Sequence, residues 1–495
     1  MTDCPFTDQI IGDNIKVLTS SVIQIPGGYL EVGKKYMFIV LVRKLGLGDA
    51  SKNITVISTE PNEPHYTISC SYGCNKTMVD STDIYRSTVT CRNCENRDKI
   101  VTTKWTVTGN TLGKLTEEQI SSILFFKVTD HRLYLNPNTL KLGEIYIFNL
   151  TATDEDGNVG NTAVTVKVNK APSPGSCYFT PSKGFALTTK FKLTCSNFID
   201  EDQPLTYSLS KQQHSGIPST VIKRSLSNIL TDVTLPSGNA TNDNYANFTV
   251  TVTDTYNLGV SINISVQVSP VSDDDSTVKY LLNKVQTLET EELDKTQHQN
   301  SEVHQMKASI VIMLNEELSE GDATEKSKIR ELLLKEVKSS DVDTLDDVEM
   351  ESNYINLLVE KDEEITELGA EFATDSFQHL SSSLKDLGKG SVTKSKSIAS
   401  SLLMGTSKLM AGSIVRGKKY LSVIDNVTST DNSTTNVTIT DDTEQVKKER
   451  SSTKSFVRIY ETISDAIFSL IEPDDPPIVV STPKLSLIVG RIVGA

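Results

Sequence analysis

Two cysteine pairs, Cys70-x3-Cys74 and Cys91-x2-Cys94, have the spacing of a four-thiolate zinc site. Such a site holds a loop-rich segment that has no core of its own. The same four thiols can instead form two disulfides, and the spacing leaves their connectivity open. All seven cysteines, Cys4, Cys70, Cys74, Cys91, Cys94, Cys177 and Cys195, precede residue 196. Clustered cysteines in a strand-rich region point to an oxidising compartment, so disulfides are the expectation and zinc the competitor. Cys177 and Cys195 are expected to pair with each other. That closure spans about nineteen residues and is worth roughly 3 kcal/mol in the chain-entropy treatment. An odd count leaves one thiol over, and Cys4 is the candidate.

Nine Asn-x-Ser/Thr acceptor sequences agree with that compartment: Asn53, Asn75, Asn149, Asn239, Asn247, Asn263, Asn426, Asn432 and Asn436. Two acidic turns offer hard oxygen ligands at alternate positions, Asp154/Asp156 and Asp200/Asp202. Calcium takes such ligands, although neither stretch has the full twelve-residue calcium loop with its terminal Glu. Solvated turns are the simpler reading. Six scattered histidines form no His-Glu-x-x-His pair, and there is no Gly-x-Ser-x-Gly elbow, phosphate-cradling loop or dinucleotide fingerprint. No enzymatic site and no cofactor are expected. A net charge of -15 argues against nucleic acid as a partner.

The elements that would position these residues repeat. Residues 148–168 and 248–268 align at an offset of 100, matching Phe148, Thr151, Thr153 and Asp154 to Phe248, Thr251, Thr253 and Asp254. Leu30, Gly33, Tyr36 and Phe38 likewise match Leu140, Gly143, Tyr146 and Phe148. Recurring modules of about a hundred residues point to tandem domains. The expected fold is mainly β: immunoglobulin- or fibronectin-III-like sandwiches, then a helical domain leading into a partial β domain. Residues 1–62, 63–170 and 171–270 read as three sandwiches, the first with its start truncated. In the second, Tyr66–Cys70, Lys104–Thr108, Ile123–Val128, Ile145–Thr153 and Thr162–Val168 read as strands, with Trp105 in the core. Asp154–Asn158 reads as the turn between the last two.

Past Pro270 the character changes. Residues 271–380 carry 28 acidic and 10 basic side chains, a balance of about -18. Apolar positions there follow a helical period, as in Val278, Leu281, Leu282, Val285 and Leu288. Residues 271–420 form an acidic helical region, 421–450 a polar, glycosylatable loop, and 451–495 the start of a β domain. Met1–Ser20 has no secretory signal pattern and no apolar run is long enough to span a bilayer. An extracellular composition without a signal reads as a fragment.

The run GSCYFTPSKGFALTTKFKLTCSNFIDEDQPLTYSLS, residues 175–210, is similar to the signature stretch of the REJ (receptor for egg jelly) module of the polycystin-1 family. Cys177/Cys195, Gly184-x-Ala186-Leu187, Asp200–Asp202 and Pro204–Tyr207 carry the match. Residues 136–160 and 66–94 also resemble that family. Phe198 stands where the family often has tryptophan, which keeps the position aromatic. The resemblance implies surface-receptor sandwiches followed by a GAIN domain, so that 271–420 and 451–495 are like its helical part and the start of its β part. It also implies a membrane attachment and a polycystin-2-like channel partner, both through segments outside this chain. The expected function is a non-catalytic stalk or ligand-sensing region on the extracellular side of the plasma or ciliary membrane. It would relay an extracellular protein or glycan ligand, or force, to the membrane part. The alternative is a carbohydrate- or glycoprotein-binding adhesion protein of gamete-recognition type, and a third reading is an intracellular acidic scaffold.

Overall fold

The computed structural model describes residues 30–44, 48–58, 66–74, 78–91, 100–155, 157–212, 219–271, 277–291, 297–316, 323–337, 342–415, 444–471, 477–482 and 486–490. The chain divides into two compact units. One holds strands from residues 1–75, 85–136 and 145–166; the other holds 76–84, 137–144 and everything from 167 onward.

In the first unit, β1 (Lys35–Lys44) and β2 (Gly48–Ile57) form an antiparallel hairpin. A three-stranded sheet follows in the order β3 (Tyr66–Tyr72), β4 (Tyr85–Cys91) and β7 (Arg132–Leu135). A four-stranded sheet runs β6 (Gly113–Lys114), β5 (Ile100–Gly109), β8 (Ile145–Asp154) and β9 (Val159–Lys167). Burial alternates along β8, as expected of a strand with one face in a core. Trp105, Phe148 and Leu150 fill that core, and the Trp105 indole N–H donates to the Asp130 carbonyl at 2.8 Å. A buried indole needs such an acceptor. The expected strand Ile123–Val128 is not one. Helix α1 (Glu117–Ile123) ends there instead. Thr116 and Gln119 close a reciprocal capping box at its start, which satisfies the first free N–H groups and fixes a helix.

The second unit begins with a sandwich. One sheet orders β10 (Ser176–Thr180), β12 (Phe191–Ser196) and β15 (Ile229–Val233). The other orders β11 (Lys183–Phe185), β17 (Gly259–Ser269), β16 (Tyr245–Thr253), β13 (Thr206–Lys211) and β14 (Thr220–Ser225). Phe179 bridges the two sheets, with its ring 6.0 Å from Phe191 and 5.8 Å from Phe248. Ring centroids at that spacing and near-perpendicular planes are the favoured aromatic geometry.

Helices take over after residue 276: α2 (Thr277–Glu291), α3 (Gln297–Asn315), α4 (Ala323–Val337), α5 (Leu345–Leu358), α6 (Glu367–Leu387), α7 (Val392–Val415) and α8 (Glu444–Phe468). Thr344 and Asp347 cap α5 reciprocally, and the Thr366 side chain caps α6. Gly405 of α7 lies where a Cβ would be 2.2 Å from the Phe377 ring, so only glycine lets α7 approach α6 this closely. A short hairpin, β18 (Ile478–Ser481) with β19 (Ser486–Val489), packs on α7 and α8. Among the described residues, no helix is long and apolar enough to cross a membrane.

Candidate functional site

The turn after the Thr-x-Thr-Asp motif of the second unit positions a carboxylate. Asp254 follows β16, and its Oδ1 accepts from the Tyr256 and Leu258 backbone N–H groups at 2.8 and 3.1 Å. Asn257 takes the left-handed conformation (φ 67°) that this tight turn requires. The Asp254 Oδ2 accepts from the Asn169 amide at 2.6 Å, and both side chains are buried. Asn169 comes from the segment just before the sandwich, so one carboxylate ties the module's entrance to its far hairpin.

Asp200 and Asp202 reach the same place from the loop after β12. One carboxylate oxygen from each of Asp200, Asp202 and Asp254 lies within 4.8 Å of the others. Asp200 Oδ1 accepts from the Asp202 N–H at 2.7 Å. Partial burial, then repulsion from Asp200, Asp254 and Glu201, holds the Asp202 carboxyl above the usual carboxylate range. The three carboxylates suit a hard cation, which would relieve that repulsion. The fit is partial: Asp254 has three hydrogen-bond donors already, and calcium takes about six to eight oxygens.

The other acidic turn is built differently. Asp154 accepts from the Asn158 backbone N–H at 2.8 Å and from its amide at 3.0 Å, and Gly157 takes φ 80°. Asp154 joins no acidic cluster among the described residues. Asp156 lies outside them.

Cys177 and Cys195 are disulfide-bonded directly across β10 and β12, and Cys195 is fully buried. Cys70 and Cys74 are bonded to each other within five residues. That bond consumes two of the four thiols a zinc site would need. Cys91 closes β4, while Cys4 and Cys94 lie outside the described residues.

The acceptor asparagines sit in strands and turns. Asn149 is half-buried on β8, Asn239 is exposed before a short 3-10 turn, and Asn247 and Asn263 are exposed on β16 and β17. Asn53 is on β2. Asn75, Asn426, Asn432 and Asn436 lie outside the described residues.

Sequence reasoning did not find the surface joining the second unit's sandwich to its helices. Helix α3 packs on β14 and β15, and α5 on β14. Buried Ser309 donates to the Thr234 carbonyl at 3.1 Å. Arg224 pairs with Asp346 at 2.8 Å, Lys190 with Glu302 at 3.8 Å, and the nearly buried Lys211 with Glu316. His304 is half-buried against Tyr354, with ring centroids 5.7 Å apart. Burial, then the nearby Lys307 charge, pushes its pKa down to about 4. Burial pushes the Glu351 carboxyl up to about 7. The acidic helical face is therefore partly an adhesive for basic residues of the sandwich, a role that only the tertiary fold reveals.

The sequence profile of the REJ domain matches residues 8–311. That span runs from the first strands into α3. The human polycystin family receptor for egg jelly is 26% identical over 206 residues, covering 39% of this chain and 9% of the relative. The mouse protein of the same name is 25% identical over 217 residues, covering 42% and 10%. The chain thus spans about a tenth of the length of these curated relatives. Among solved structures, a two-domain fibronectin type-III segment of chicken tenascin is 11% identical, covering 42% of this chain and 99% of its own, with a TM-score of 0.18. The FN1–FN3 domains of chicken CNTN1 give 10% identity, 42% and 66% coverage, and a TM-score of 0.19. The sandwich architecture follows from the strand pairing of the chain itself. The profile match spans more than half of the 495 residues, and on it the chain belongs to the REJ domain family.

Proposed function

We propose that the chain is part of the extracellular region of a polycystin-1-like membrane receptor and acts without catalysis as a stalk that relays ligand binding or force. The observation that carries this reading is the sandwich–helix surface, read together with the family. The REJ match crosses from strands into α3, and α3 contributes Ser309, Glu302 and the half-buried His304 to that surface. Buried hydrogen bonds and packed apolar residues resist separation better than exposed ion pairs do. A load on the strands would pass into the helices through that contact. The helices and the β18–β19 hairpin would then act as a GAIN-like region next to the membrane part of the longer protein. Its ligand is an extracellular protein or glycan, and a polycystin-2-like channel partner would engage other segments. Calcium at Asp200, Asp202 and Asp254 would stiffen the sandwich's entrance.

The test is to express the full chain behind a secretion signal. Glycans and cysteine pairing are mapped by mass spectrometry, with zinc measured on the same sample. Occupied acceptor sites, paired Cys177–Cys195 and no zinc support the reading. Bare asparagines, free thiols and a bound zinc ion contradict it.

One observation favours the adhesion reading. In the first unit Phe125 is 41% exposed beside Phe126 and Tyr134, and Arg132 lies 3.9 Å over the Phe126 ring while pairing with Asp130. Exposed aromatics beside an oriented Arg are common at recognition surfaces. A glycan array compared with a Phe125→Ala variant tests it. Signal lost in the variant supports adhesion, and silence of both proteins removes the motive.

A further inference from the structure

Two of the acceptor sequences interlock on one sheet face. Asn247-Phe248-Thr249 is on β16 and Asn263-Ile264-Ser265 on β17. Asn247 pairs across the ladder with Ser265, and Thr249 pairs with Asn263. Each asparagine therefore faces the hydroxyl residue of the other's acceptor sequence. Asn247 and Asn263 are both exposed on the outer face, at diagonal positions about 7–8 Å apart. The Thr249 hydroxyl donates to Asn263 Oδ1 at 3.1 Å.

The two positions differ in what is already folded when each emerges. Strand β13 pairs with β16 from Thr206↔Thr253 to Ser210↔Thr249, so Asn247 lies beyond that ladder. Its cross-strand neighbour Ser265 is made eighteen residues later. At about 5–20 residues per second that interval is roughly one to four seconds. Asn263 has no such interval. Thr249 and the β16 edge precede it in the chain, and β-hairpins close in about 1–10 μs. Transfer of a glycan needs the asparagine amide and the hydroxyl two residues on to be drawn out of any sheet.

We propose that Asn247 is the glycan-bearing site of this pair and that Asn263 is an acceptor sequence silenced by strand pairing. The inference rests on passage of the chain through the secretory pathway. It assigns the outer face of β16–β17 to one glycan, which stands over Thr249 and Asn263.

The experiment uses the full chain behind a secretion signal in mammalian cells. Occupancy is read by glycopeptide mass spectrometry after enzymatic deglycosylation in heavy-oxygen water, on total lysate and medium. The expected result is several-fold higher occupancy at Asn247 than at Asn263. Asn247→Gln leaves Asn263 as bare as before. Ile262→Pro removes a ladder N–H beside the acceptor and raises Asn263 occupancy several-fold. Reading total lysate keeps that result independent of whether the variant is secreted. Equal occupancy in the unaltered chain overturns the proposal, as does a bare Asn247 beside an occupied Asn239. Filling of Asn263 in Asn247→Gln also overturns it, since that would assign the silencing to the neighbouring glycan. A chain bare at every acceptor overturns the secretory reading itself.

Discussion

The turns after β8 and β16 have the same backbone and different surroundings. In both, the aspartate N–H donates to the residue four positions on, and the aspartate Oδ1 accepts from that residue's N–H. The third position takes positive φ in both, as Gly157 and as Asn257. Asp154 stays half-exposed and binds its own turn. Asp254 is buried, binds Asn169 and meets Asp200 and Asp202. The Thr-x-Thr-Asp motif thus encodes a turn, and long-range neighbours decide what its carboxylate does. The sandwich that carries Asp254 also packs against helices, which bury Glu351 and half-bury His304.

The sharpest way to break this comparison is to remove both aspartates in turn. Asp254→Ala leaves buried Asn169 and two backbone N–H groups without their acceptor and should cost about 4 kcal/mol. Asp154→Ala should cost about 1 kcal/mol, because water can replace the lost acceptor. Urea unfolding of the full chain, with exchange mass spectrometry to assign the affected strands, reads both. Equal costs would remove the distinction.

The helix-covered sandwich should also respond to pH in two opposed ways. Glu351 has its pKa raised from 4.5 to about 7, so its contribution is full below pH 4.5 and is lost as pH rises to 7. His304 has its pKa lowered from 6.5 to about 4, so its contribution is full above 6.5 and is lost as pH falls to 4. Each change is on the order of 3 kcal/mol. In the unaltered chain they offset between pH 4.5 and 6.5. Glu351→Gln should expose a steep acid limb, and His304→Gln a decline toward neutral pH. Stability curves of all three proteins against pH check this, and parallel curves would contradict it.

The disulfides sharpen the comparison at a similar or slightly smaller scale. Replacing Cys177 and Cys195 by alanine should cost about 3 kcal/mol, and replacing Cys70 and Cys74 about 2, because the second loop is shorter. Denaturant midpoints of the two double variants give the order. The smallest expected effect is a calcium-dependent rise in melting temperature of a few degrees, present in the unaltered chain and absent in Asp202→Asn. No shift with calcium would leave the triad as a purely structural turn.

Much of this was readable from sequence because it is local. The hundred-residue offset, the turn at Asp154–Asn158 and the helical periodicity after 276 all reflect neighbours along the chain. So does the pairing of Cys177 with Cys195, whose strands are adjacent. Helix α1 has a local signal that the strand reading of Ile123–Val128 did not use: Thr116-x-x-Gln119 is a capping signature. What stayed hidden depends on contacts far apart in sequence. Asn169 meets Asp254 across 85 positions and Lys211 meets Glu316 across 105. No periodicity announces such pairs. The acidic bias of 271–380 is plain in the sequence, but its pairing with Lys190, Lys211 and Arg224 is not.

The relay account requires the second unit's sandwich and helices to be one cooperative body. Hydrogen exchange of the full chain in rising urea measures this directly, with peptides from β16 (Tyr245–Thr253) and α3 (Gln297–Asn315) followed together. Both should lose protection at the same urea concentration, and Ser309→Ala should move both midpoints down together. Loss of α3 protection at lower urea, with β16 unchanged in the unaltered chain and in the variant, would contradict it.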